Sequence, residues 1–158
     1  MDYIGNSIIK DRLSLYLNKF NELCYRIVDT TEEVHTIVIE ESTNTFEFEK
    51  LLFITCEYGE TDSSSFQRII LNGRLIEYHG FTRNVGLAKK IKLEGSTFGA
   101  DLNGNNCGSF LAASHSVAHV TFTKLQIYKF EEAMRRFVLE SNNPLMEINC
   151  DNILTTGK

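Results

Sequence analysis

The chain has 158 residues, 42% hydrophobic and 23% charged, with a formal net charge of −5, values of an ordinary folded domain that are too apolar for disorder throughout. One domain over 1–158 is expected, burying roughly two-thirds of the surface that the unfolded chain exposes. No apolar run approaches the ~20 residues of a membrane span, the start MDYIGNSIIKDRLSLYL lacks a signal-peptide h-region, and Cys24, Cys56, Cys107 and Cys150 are widely spaced with no CxxC, so a reducing, cytoplasmic setting is expected.

Residues 7–28 carry Ile9, Leu13, Tyr16, Phe20, Leu23 and Ile27 at the 3–4 spacing of one helix face, with Asn6 or Ser7 as cap. Strand signals follow at VHTIVIE (34–40) and TFEFEKLLFIT (45–55). In FQRIIL-NG-RLIEYH (66–79), Asn72-Gly73 between two apolar runs marks a two-residue hairpin turn. A regular register from that turn sets Leu71 against Arg74, Ile70 against Leu75 and Arg68 against Glu77. VGLAKKIKLEG (85–95) reads as a strand, and GSTFGADLNGNNCGSF (95–110) as a long loop.

VAHVTFTKLQIY (117–128) reads as a strand running into a helix over 128–141, whose buried stripe would be Phe130, Met134, Phe137 and Val138, with Pro144 beyond its end. LMEINCDNIL (145–154) reads as a closing strand. No internal repeat or low-complexity tract is visible. The order predicts an α+β fold: a mainly antiparallel sheet of about five to seven strands, with an N-terminal helix and a C-terminal helix packed on it.

Chemistry-bearing motifs are sparse. His115 and His119 could chelate one metal if both lay on a helix, but on a strand they stand about 13 Å apart, so no metal and no cofactor is expected. His119-Val120-Thr121 resembles half of the motif of the two-histidine phosphoesterases. Those enzymes need two such motifs, as base and acid, and His35, His79 and His115 have no Ser or Thr two residues on. Asp101, Asn103 and Asn105 begin like a calcium loop, but glycine stands at the fourth position instead of the sixth and Ala112 stands at the twelfth. No phosphate-binding glycine pattern is present. An enzymatic alternative survives: a small hydrolase or metal-dependent enzyme using His115, His119 and Thr121 with the 95–110 loop, where Cys107 could serve as a nucleophile.

Charge is the stronger signal. Residues 29–62 hold ten acidic residues against Lys50 alone, a net −9, whereas 63–94 hold six basic and two acidic, a net +4. The two runs could neutralise each other within the sheet. The sharper expectation is an acidic surface built from Glu40, Glu41, Glu47, Glu49, Glu57, Glu60 and Asp62, with strand-edge pairing there. Such a surface repels nucleic acid and membranes and speeds association with a basic protein. Inhibitors that fill the phosphate groove of a nuclease are of this general type, as are bacterial immunity proteins that neutralise a nuclease toxin. The expected function is therefore non-enzymatic binding of a basic partner.

Overall fold

A computed structural model describes residues 13–42, 45–47, 50–85, 96–98, 110–112, 123–140, 146–148 and 154–156. The chain divides into two compact units, 1–91 and 92–158.

The first unit is built from two three-stranded antiparallel sheets. One contains β1 (Leu13–Leu17), β2 (Leu23–Val28) and β3 (Val34–Ile39), in that order. This corrects the expected N-terminal helix. Leu13, Leu23 and Ile27 of that helical stripe also fit alternation, in which Leu13, Leu15 and Leu17 stand opposite Ile27, Tyr25 and Leu23. Two observations decide for strands. All six residues of β2 are buried, as in a strand covered on both faces and unlike an amphipathic helix. Between the strands, Asn18 and Asn21 build a tight turn. The Asn18 Oδ1 accepts from the Phe20 and Glu22 amides at 2.9 and 3.0 Å, and Asn21 adopts φ 61°.

The other sheet contains β4 (Ile54–Glu60), β5 (Ser65–Leu71) and β6 (Arg74–Phe81). The expected strand over 45–55 is displaced: Leu51, Leu52 and Phe53 are irregular, and β4 starts at Ile54. The β5–β6 hairpin forms at Asn72-Gly73, where both residues have positive φ (50° and 76°), the geometry for which Asn-Gly is selected. Leu71 pairs with Arg74 and Ile70 with Leu75 as read from the sequence. Beyond them a bulge adds Ile76 to β6 and shifts the register by one, so that Arg68 faces Tyr78 and Ile69 faces Glu77. The charge partner of Arg68 is instead Glu57, directly opposite on β4.

A buried cluster joins the two sheets. Leu23, Tyr25, Ile27, Ile37 and Ile39 come from one, Ile69 and Leu71 from the other, and Phe46 and Val85 from the connections. The segment after β6 is tied down by Ser65, whose hydroxyl donates to the Arg83 carbonyl at 3.1 Å and accepts from the Val85 amide at 3.4 Å.

In the second unit, β7 (Ser96–Phe98) pairs antiparallel with β10 (Leu154–Thr156), and β8 (Phe110–Ala112) with β9 (Met146–Ile148). The 95–110 loop thus contains β7 and meets β8 at its end, and the closing strand is replaced by the short strands β9 and β10. The helix α1 (Lys124–Glu140) begins four residues before the expected start, so 124–127 are not strand. Thr123 and Gln126 explain the boundary. The Gln126 side chain accepts from the Thr123 amide at 2.8 Å while the Thr123 hydroxyl accepts from the Gln126 amide at 3.3 Å, a reciprocal capping box. The buried row on α1 is Ile127 and Glu131 with half-buried Met134, whereas Phe130 and Phe137 are exposed.

The single sheet of five to seven strands with two packed helices is therefore replaced by two three-stranded antiparallel sheets, two short strand pairs and, among the described residues, one C-terminal helix.

Candidate functional site

The acidic candidates do not fall on one patch. Glu40 and Glu41 are exposed just beyond the end of β3. Glu47 lies further along the same connection, with its carboxylate 2.5 Å from Lys50 Nζ. Glu57 is committed to Arg68 in mid-sheet, with side chains 11% and 20% exposed. Glu60 accepts the Tyr58 hydroxyl at 2.7 Å, and Asp62 is exposed on the turn between β4 and β5. Glu49 lies outside the described residues.

Hydrogen bonds show which of these share an end of the unit. Asn84 Nδ2 donates to the Thr61 carbonyl at 2.6 Å, and Thr30 Oγ1 donates to the Val85 carbonyl at 3.2 Å. Glu60 and Asp62 therefore sit near the β2–β3 turn, Asp29 to Glu33. Glu40 and Glu41 sit at the opposite end of β3, six residues away, or about 20 Å of strand. The acidic surface has two poles along one edge strand.

The pole at the β2–β3 turn holds the most organised polar cluster described. Asp29 is fully buried, and its Oδ1 accepts from the Thr31 amide (2.7 Å), the Thr31 hydroxyl (2.7 Å) and the Glu33 amide (3.0 Å). Its Oδ2 lies 3.3 Å from His35 Nε2 and 3.3 Å from a guanidinium nitrogen of Arg83. The same Arg83 nitrogen is 2.5 Å from Glu33 Oε2. Burial alone would raise the Asp29 pKa. The bonds from Thr31, His35 and Glu33 outweigh it and hold the carboxyl down at about 2.

Asp29, Glu33 and His35 bring one ligand atom each within 4.8 Å of one another, a spacing that suits a metal ion. The cation these carboxylates face in the structure is the Arg83 guanidinium. Three donors occupy Oδ1, and Arg83 bridges Oδ2 to Glu33, which makes the cluster a clasp between the β2–β3 turn and the segment after β6. As a catalytic base His35 would need a nucleophile. Its described partners are Asp29 and the edge of the Phe81 ring, at 4.7 Å between centroids.

Sequence reading missed this clasp. Asp29-Thr30-Thr31 does carry a local signal, since Asp followed two residues later by a bonded donor is an Asx turn. Arg83 stands 54 residues away and carries none.

Two cysteines are described, both as free thiols. Burial raises the Cys24 thiol, with the Glu22 charge adding to it, and burial pushes Cys56 up to about 12. Both remain protonated at neutral pH and are poor nucleophiles. His115, His119, Thr121 and Cys107 lie outside the described residues. No described helix is long and apolar enough to cross a membrane. No protein-family model, curated protein or solved structure matches the chain.

Proposed function

We propose that this chain is a non-enzymatic binding protein that takes up a basic protein partner through the acidic poles of its first unit. One observation carries the reading. Exposed carboxylates flank β3 at both ends, with Glu32 and Glu33 before it and Glu40 and Glu41 after it. Asp62 adds to the first pole. Of the basic residues of 63–94, Arg68 is paired with Glu57 and Arg83 sits in the clasp, away from Glu40 and Glu41.

Phe20 supplies an apolar contact at the second pole. It is 70% exposed on the turn that Asn18 rigidifies, beside half-exposed Leu17. An exposed aromatic is a common form of binding anchor, and here Lys19 Nζ lies 5.1 Å from the Phe20 ring centroid. A nuclease-type toxin is the partner class this reading favours, because a groove that binds phosphates is basic. Inhibition would follow from occupying that groove.

The test is affinity capture from host lysate at low and moderate salt, with a Glu40→Lys, Glu41→Lys, Glu47→Lys, Glu49→Lys variant alongside. A basic protein is expected to be held by the wild type, to be lost by the variant, and to bind more weakly as salt rises. A partner held equally by both forms, with no salt dependence, would refute the mechanism.

A further inference from the structure

We infer that the edge of β3 that no described strand pairs with receives an extended segment of the partner as an added strand, with basic side chains about seven residues apart. This rests on the basic-partner reading and specifies its mode. The backbone argument starts at the β2–β3 turn, where the Asp29 amide donates to the Glu33 carbonyl at 2.9 Å. In an antiparallel ladder, bonded and non-bonded pairs alternate. The strand register therefore makes His35–Ile27, Ile37–Tyr25 and Ile39–Leu23 the bonded pairs. Val34, Thr36 and Val38 then turn their N–H and C=O groups away from β2, toward the edge.

That edge belongs to no other described strand, since β3 is terminal in its sheet. VHTIVI contains no lysine, proline or bulge, the usual devices that stop an edge from pairing. Its one titratable side chain, His35, is turned to Asp29. The side chains of Val34 and Val38, 42% and 50% exposed, lie on the face away from the core and offer two apolar contacts.

Charge selects the occupant. From Glu33 to Glu40 is seven residues, about 23 Å of strand, so an added strand with a cation at each end would set both against carboxylates. The other edge of the sheet, β1, also lacks a described partner strand. LSLYL carries no charge and would not discriminate for a basic segment.

The probe is a peptide with two lysines at each end of a six-residue Val-Thr alternation, together with its analogue N-methylated at alternate amides. N-methylation removes strand hydrogen bonds and leaves charge unchanged. Titration by isothermal calorimetry at low salt should give binding that the methylated analogue loses by tenfold or more. Hydrogen exchange should show new protection at Val34, Thr36 and Val38. A Glu40→Lys, Glu41→Lys variant of the full chain, checked for folding by circular dichroism, should bind the parent peptide several-fold more weakly.

Equal binding of the two peptides, with the variant still weaker, would overturn strand addition and leave the charge reading standing. Equal binding of both peptides by wild type and variant would overturn both. No binding of the parent peptide at millimolar concentration would overturn the strand inference.

Discussion

Replacing Asp29 by Asn tests whether charge, and not shape alone, holds the clasp together. The amide keeps an oxygen that can accept from the Thr31 and Glu33 amides, now at 2.7 and 3.0 Å. It loses the negative charge facing Arg83 and His35, and it turns an NH2 donor toward two other donors. The carboxyl ionises at about 2 in the folded protein against 3.8 unperturbed. That gap is worth about 2 kcal/mol of stability at neutral pH. The side chain is 1% exposed, so solvent screening removes little of it.

The sign follows from the direction of the shift. The folded pKa is lowered, so the stabilisation is fully present above the unfolded value and is lost as pH falls from about 4 toward 2. The wild-type advantage over Asp29→Asn should be about 2 kcal/mol at pH 7, about half that at pH 3, and close to zero below pH 2. Urea denaturation read by far-ultraviolet circular dichroism serves for both proteins, since the chain has no tryptophan. Comparing them at each pH cancels the titration of every other carboxylate. A gap that stayed constant from pH 7 to pH 2 would show that the Asp29 charge contributes nothing, and the clasp would then be a turn motif alone.

Arg68→Ala leaves Glu57, 11% exposed, without its counter-ion and should cost about 3 kcal/mol, whereas replacing both by Met and Leu should recover most of the loss. Equal losses in single and double variants would refute that account. Gly59→Ala should destabilise by about 1 kcal/mol, because its Cβ would collide with Phe66 Cε1 and push that ring off its stack with Tyr78. An unchanged melting temperature would show that the ring yields freely. Gln67 is fully buried and neither end of its carboxamide has a described hydrogen-bond partner, so Gln67→Leu should be neutral or stabilising. A loss above about 1 kcal/mol would show that the amide is satisfied in the folded protein.

The local signals that were legible in the sequence are those whose cause is local. Asn72-Gly73 dictates its own turn because both residues tolerate positive φ, and β3 is bounded by polar residues on either side. Thr123 and Gln126 were equally local, and the helix start they fix was available to a reading that looked for the capping pair. The N-terminal strands were ambiguous in principle. Leu13, Leu23 and Ile27 satisfy both a helical and a strand period, and burial of β2 on both faces, with the turn at Asn18–Asn21, breaks the tie. The bulge at Ile76 could not be read, since no glycine or other local signal marks it in RLIEYH. For the candidate site, composition identified the acidic residues but not their grouping. Whether Glu60 neighbours Glu40 depends on the course of β3 and β4, and the hydrogen bonds of Asn84 and Thr30 place them at opposite poles.

The segregation of charge along the chain then has two separate consequences in space. Part of it is consumed internally: Glu57 takes Arg68 within one sheet, and the clasp takes Arg83, which ties the β2–β3 turn to the segment after β6. The remainder is carried outward at the ends of one edge strand. These uses are coupled through Arg83, which is 53% exposed and bridges buried Asp29 to Glu33. On the proposed reading, a basic partner approaching the first pole would meet a carboxylate already paired with Arg83, whereas Glu40 and Glu41 lie at the other end of β3. The second pole should therefore dominate the salt dependence of association. Substitutions at Glu40 and Glu41 should change it more than substitution at Glu33.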